Sequence, residues 1–121
     1  METVKLDRQS LYQFYGDAVD DLREIFNDYL KNRNTMLASL QKAYESGTEA
    51  LAASVHYHSS VFSYIGLPML TTDCHQFETL CKRSAVTSEV KNEFEELVSR
   101  IYKSISIVQQ EVERLNMLYI S

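Results

Sequence analysis

The sequence predicts an all-α fold, an up-down-up-down antiparallel four-helix bundle preceded by a short additional N-terminal helix. Apolar residues recur at alternating spacings of three and four along four separate stretches, and that is the period of one helix face. The 121 residues include one Pro and three Gly, too few turn residues for a protein built of strands and hairpins. The length is that of one domain, residues 1–121, which can bury a single modest core.

Asp7 can cap a short first helix that runs through Tyr15 and is stopped by Gly16. Asp17, Asp20 and Asp21 then place acid at the start of the second helix, where the dipole favours it. Leu22, Ile25, Phe26, Tyr29, Met36, Leu37, Leu40 and Ala43 keep helical spacing to about Glu45. Asn32, Arg33 and Asn34 interrupt that stripe and mark a position at which the helix can kink. Gly47 is the natural stop, and Thr48 the natural N-cap of the third helix.

On the third helix Leu51, Val55, His58, Phe62 and Ile65 share one face, predicted to be core. His58 is therefore expected as a packed core histidine whose ring nitrogens find a tyrosine or backbone partner. His56 lies roughly 160° round the same wheel. It stands beside Ala52, Ala53, Ser59, Ser60 and Ser63, all too short to cover an imidazole, so its ring is predicted to face solvent. Gly66 and Pro68 end this helix and start the next, whose stripe is Leu70, Cys74, Phe77 and Cys81. His75 turns to the side of that helix and reads as solvated. The polar stretch from Ser84 to Ser88 makes the third connection, with Thr87 or Ser88 as cap. The last helix carries Val90, Phe94, Leu97, Ile101, Ser104, Val108, Val112, Leu115 and Leu118, a bundle seam with one polar member that extends to Ile120.

The second and fifth helices, at roughly 30 residues, reach about 45 Å, against about 25 Å for the central pair. The long pair should overhang the short one. The overhang stays apolar at Val112, Leu115, Met117, Leu118, Tyr119 and Ile120. It needs cover from the second helix, from a neighbouring domain, or from a second copy in a homodimer through the C-terminal helix.

Composition excludes several classes of function. With 45% apolar and 24% charged residues the chain is ordinary globular protein. A net charge of −5 and the lack of a basic stripe argue against nucleic acid as a partner. No apolar run approaches 18 residues and the first ten residues lack the regions of a signal peptide, so no membrane association is expected and the cytoplasm is the default location. Cys74 and Cys81 lie seven residues apart on one helix, separated by about 10.5 Å of rise, which rules out a mutual disulfide. His56, His58, Cys74, His75 and Cys81 lack the spacings that converge ligands on an ion, so no metal site is expected.

Beyond periodicity, His56, Gly66 ten positions later, then Leu70, Cys74 and the pair Phe77 and Glu78 resemble the signature of histidine-containing phosphotransfer (HPt) domains. The resemblance extends upstream to the opening helices and covers roughly residues 6–108. The family's Lys and Gly after the His are Ser59 and Ser60 here, and Phe62 stands where small residues are commoner. The resemblance implies a phosphorelay in which His56 is the phosphoacceptor, Ser59 and Ser60 neighbour the phosphoryl group, and Ala52, Ala53 and Ser63 belong to the docking surface. The implied partner is a response-regulator receiver domain or a hybrid sensor histidine kinase, and the receiver supplies Mg²⁺. This chain would bind no cofactor and act as a phosphohistidine carrier without independent catalytic machinery. The alternatives are a pseudo-HPt adaptor that binds a receiver or kinase without taking phosphate, and a helical dimerisation module.

Overall fold

The computed structural model describes residues 4–83 and 87–118, which form five α-helices and, among the described residues, no strand. They are α1 (Arg8–Tyr15), α2 (Val19–Ser46), α3 (Thr48–Tyr64), α4 (Pro68–Arg83) and α5 (Thr87–Leu118). α3 packs on α2 and α4, and α5 packs on α4 and α2, so the four longer helices enclose one contiguous core. Phe26, Leu51, Phe62, Ile65, Leu70, Ile101 and Val108 are wholly buried in it. None of these helices is long and apolar enough to cross a membrane.

The helix ends follow local chemistry. The Asp7 carboxylate accepts from the Ser10 amide at 3.1 Å and opens α1. α2 runs unbroken through Asn32, Arg33 and Asn34 rather than breaking there. The Asn32 amide donates to the Asp28 carbonyl at 2.9 Å and the Arg33 guanidinium to the Leu30 carbonyl at 2.7 Å, so these polar side chains fold back on their own helix. Gly47 alone joins α2 to α3 with φ 113, a backbone region that side chains resist. It takes the cap position expected of Thr48, which is instead the first helical residue. The cap expected at Thr87 or Ser88 follows residues 84–86, which lie outside the described part.

α1 lies over the turn between α3 and α4. The Asp7 amide donates to the Gly66 carbonyl at 2.7 Å, and the Tyr15 hydroxyl to the Tyr64 carbonyl at 3.0 Å. Leu11, buried in between, sits so close to Gly66 that a Cβ there would meet its Cγ at 2.8 Å.

The seam of α5 is buried at Val90, Phe94, Leu97, Ile101, Ser104, Val108 and Leu115. Its polar member is satisfied, because Ser104 Oγ lies 2.7 Å from the Tyr29 hydroxyl and also donates to the Ile101 carbonyl. Burial pushes the Tyr29 phenol up to about 12. Further along, the expected seam changes. Val112 is half-buried and Leu118 exposed, whereas Glu111 is 4% exposed. Two arginines hold that carboxylate, Arg114 of the same helix at 2.8 Å and Arg8 of α1 at 2.9 Å. The overhang is covered from α2, one of the expected sources, where the Arg23 guanidinium donates to the Leu115 carbonyl at 3.3 Å, and in addition from α1 through Arg8, while Met117 and Leu118 remain exposed. Tyr119 and Ile120 lie outside the described residues. Cys74 and Cys81 are free and buried, with both thiols pushed up by burial, Cys74 to about 12.

Candidate functional site

His56 stands on α3 with 72% of its side chain exposed, as the wheel predicts. Its Nδ1 lies 2.9 Å from Oε1 of Glu78, a residue of α4 whose side chain is 9% exposed. An ionised carboxylate only accepts hydrogen bonds, so Nδ1 carries the shared proton. In the neutral ring that tautomer leaves the lone pair on Nε2, the nitrogen remote from Glu78. A buried carboxylate without a partner is costly, and Oε2 of Glu78 has none. The imidazole therefore matters to the carboxylate as much as the carboxylate matters to the ring. Chemically such a pair can serve as an oriented nucleophile, with a built-in counter-charge for an imidazolium substituted at Nε2.

Sequence reasoning quoted Glu78 as part of a signature and gave it no role. Its neighbour His75 is exposed, as its place on the side of α4 predicts, and its ring centroid lies 6.4 Å from that of His56, with the planes 30° apart. The available signal was helical spacing, since residues three apart share a face of α4.

The other expected site residues are divided among three places. Ser59 is 3% exposed, and its hydroxyl donates to the His56 carbonyl at 2.8 Å. It is turned into the α3–α4 contact rather than standing open beside the ring. Thr71 of α4 donates to the Ser59 carbonyl at 3.1 Å and pairs with the Ser63 hydroxyl at 2.8 Å, so half-buried Ser63 also serves the helix contact. Ala52 is buried at 5% exposed, and Ala53 is exposed beside it. Both line a groove of about 640 Å³ that runs from Thr48 and Glu49 past His56 and Glu78 to Cys81 and Lys82. Ser60 is exposed but opens on the α2 side of α3, in a second groove with Asn32, Tyr57 and Tyr64.

His58 departs from the core position expected of it. It is half-buried, packs edge-on against Tyr57 with centroids 5.0 Å apart, and lines that second groove. Burial lowers its affinity for a proton. The buried face of α3 is Leu51, Ala52, Val55, Ser59 and Phe62. It is rotated towards α4 because small residues there let the two helices approach closely.

Among the described residues no group of three or more His, Cys, Asp or Glu side chains could hold a metal ion. The chain matches no family model, no curated protein and no solved structure.

Proposed function

We propose that this chain is a single HPt-like domain of a cytoplasmic phosphorelay, a carrier that takes a phosphoryl group from a receiver-domain aspartyl phosphate onto His56 and passes it to another receiver. The observation that carries this reading is the exposed ring of His56 with Nδ1 held 2.9 Å from buried Glu78. On this reading the helices form an up-down-up-down antiparallel four-helix bundle with α1 as a lid. The one-residue link at Gly47 and the short turn at residues 65–67 support it, because such connections reverse the chain between neighbouring helices.

The Nε2 lone pair attacks phosphorus in line, the P–N bond forms, and the P–O bond breaks with its electrons leaving on the receiver's carboxylate. The proton on Nδ1 stays shared with Glu78, which offsets the charge of the phosphorylated ring. In the return step an aspartate of the second receiver attacks phosphorus and the P–N bond breaks. Mg²⁺ belongs to the receiver, and this chain's contribution is a positioned ring, so its catalysis is largely proximity. Exposed Ala53 and Ser60, one turn to either side of His56, leave room for the receiver to close over it.

Incubation with a phosphorylated receiver and Mg²⁺ tests the reading. Label should pass to this chain, be lost in acid and survive base, and be absent from His56→Gln. A second reading, the pseudo-HPt adaptor, is favoured by one observation: the Ser59 hydroxyl is engaged by the His56 carbonyl and has no direct contact to give a phosphoryl group. Tight receiver binding with no label would select it.

A further inference from the structure

We propose that His75 is a second residue of the phosphoryl site, donating a hydrogen bond to the oxygens of a phosphoryl group on His56. This rests on the phosphocarrier reading and adds a residue to it. The observation is the pair of imidazoles on neighbouring helices, 6.4 Å between centroids and 30° between planes. That is too far for the rings to bond directly. A group attached to Nε2 of His56 extends beyond its ring, and on this proposal its oxygens span the remaining gap to His75.

The electrostatics favour such a donor. A phosphoryl group brings up to two negative charges to Nε2, and the carboxylate of Glu78 already lies on the Nδ1 side of the same ring, 2.9 Å away. Ser59 is 3% exposed and turned inward. His75 is exposed and free to reorient, and a protonated imidazole both donates and carries charge, a bond about twice as strong as a neutral one. The titratable group recorded against its ring is His56 of α3, which is itself held by Glu78. Asp73, two residues earlier on α4, is turned to Arg100 of α5 at 3.1 Å.

Phosphoramidate supplies the test without any receiver. The Nε2 lone pair takes its phosphoryl group, its P–N bond breaks and ammonia leaves. Phosphorus and ring ¹⁵N spectra then show whether phospho-His56 forms, and its decay is followed in wild type, His75→Phe and His75→Lys. Phosphorylation should move the ring resonances of His75. The phosphorylated form should decay roughly threefold or more faster in His75→Phe, the equivalent of one weak charge-assisted contact, and regain its lifetime in His75→Lys. As the site is exposed, neither variant should disturb the fold. If phospho-His56 forms while the His75 resonances stay fixed and the three decay rates agree, this inference is overturned and the carrier reading stands. If His56 takes no phosphoryl group, both fail.

Discussion

His56 and Glu78 are 22 residues apart in sequence and 2.9 Å apart in space, one ring exposed and one carboxylate buried. Their contact crosses from α3 to α4, so the orientation of the ring depends on how those two helices pack. Thr71 fixes that packing by bonding both Ser59 and Ser63 of α3.

Glu78→Gln keeps the shape of the side chain and removes its charge. A hydrogen bond to a charged group is worth about 1.5–3 kcal/mol, so phosphoryl transfer to His56 should slow roughly tenfold to a hundredfold. The receiver's affinity should change little, because Glu78 is buried. Single-turnover transfer from a labelled receiver measures the rate, and an unchanged rate would mean the carboxylate does not position the ring.

Glu111 makes acid stability depend on α1. Hydrogen bonds from Arg114 hold its carboxyl low, at about 2 against an ordinary 4.5, over the opposing effect of burial and with Arg8 assisting. A folded-state value below the unfolded one means stabilisation that is present above about 4.5 and lost as pH falls through about 2. Both arginines are partly exposed, so solvent screening reduces the contribution to about 1–2 kcal/mol. Glu111→Gln should lower the unfolding free energy measured in urea at pH 7 by that amount and come close to wild type near pH 2.

Leu11 and Gly66 should be coupled. Gly66→Ala places a side chain at φ 81 and a Cβ 2.8 Å from Leu11 Cγ. Conformational strain and overpacking together should cost about 2–4 kcal/mol. Leu11→Ala alone leaves a cavity, but it vacates the space the new Cβ needs. The double variant should therefore be less destabilised than the sum of the singles by about 1 kcal/mol. Strict additivity in urea unfolding would mean that α1 does not rest on this turn.

Much of this architecture was legible in local chemistry. Asp7, Gly16, Gly47 and Pro68 each mark a boundary because their backbone or capping needs are local. The α5 seam is legible as far as Leu115, buried like Val90 to Val108 with Val112 packed against the core, because its residues meet the neighbouring helices, and only Leu118 departs from it. Glu111 was legible only in part: its i,i+3 partner Arg114 stands in the same stretch of sequence, but its second partner Arg8 is 103 residues away and no window contains both. On α3 the expected core residues Leu51, Val55, Phe62 and Ile65 are buried and His58 alone departs, while Ala52 and Ser59 join the buried face. A wheel weighted by apolarity points towards His58, but the Ala and Ser residues on the other side let α4 approach and cover Ser59. Glu78 failed the same weighting, as an acid on an otherwise apolar stripe, although its spacing from His75 was visible.

Ser59 and Ser60 are adjacent in sequence and separated by that rotation, so substitution should affect them differently. Ser59→Ala removes a hydroxyl bonded back to the carbonyl of residue 56, a contact worth little in a helix interior. Stability should change by no more than about 1 kcal/mol, and the lifetime of phospho-His56 should be unaltered. Ser60→Arg places a long side chain on the exposed α2 side of α3, one turn beyond His56, where a docking receiver must pass. Receiver affinity should fall about tenfold or more while the unfolding midpoint stays put, since exposed substitutions usually cost within about 0.5 kcal/mol. Titration with a receiver and phosphohistidine decay measure the two effects separately. A shortened lifetime in Ser59→Ala would return that hydroxyl to the phosphoryl site, and unchanged affinity in Ser60→Arg would move the docking surface to the groove between Thr48 and Lys82.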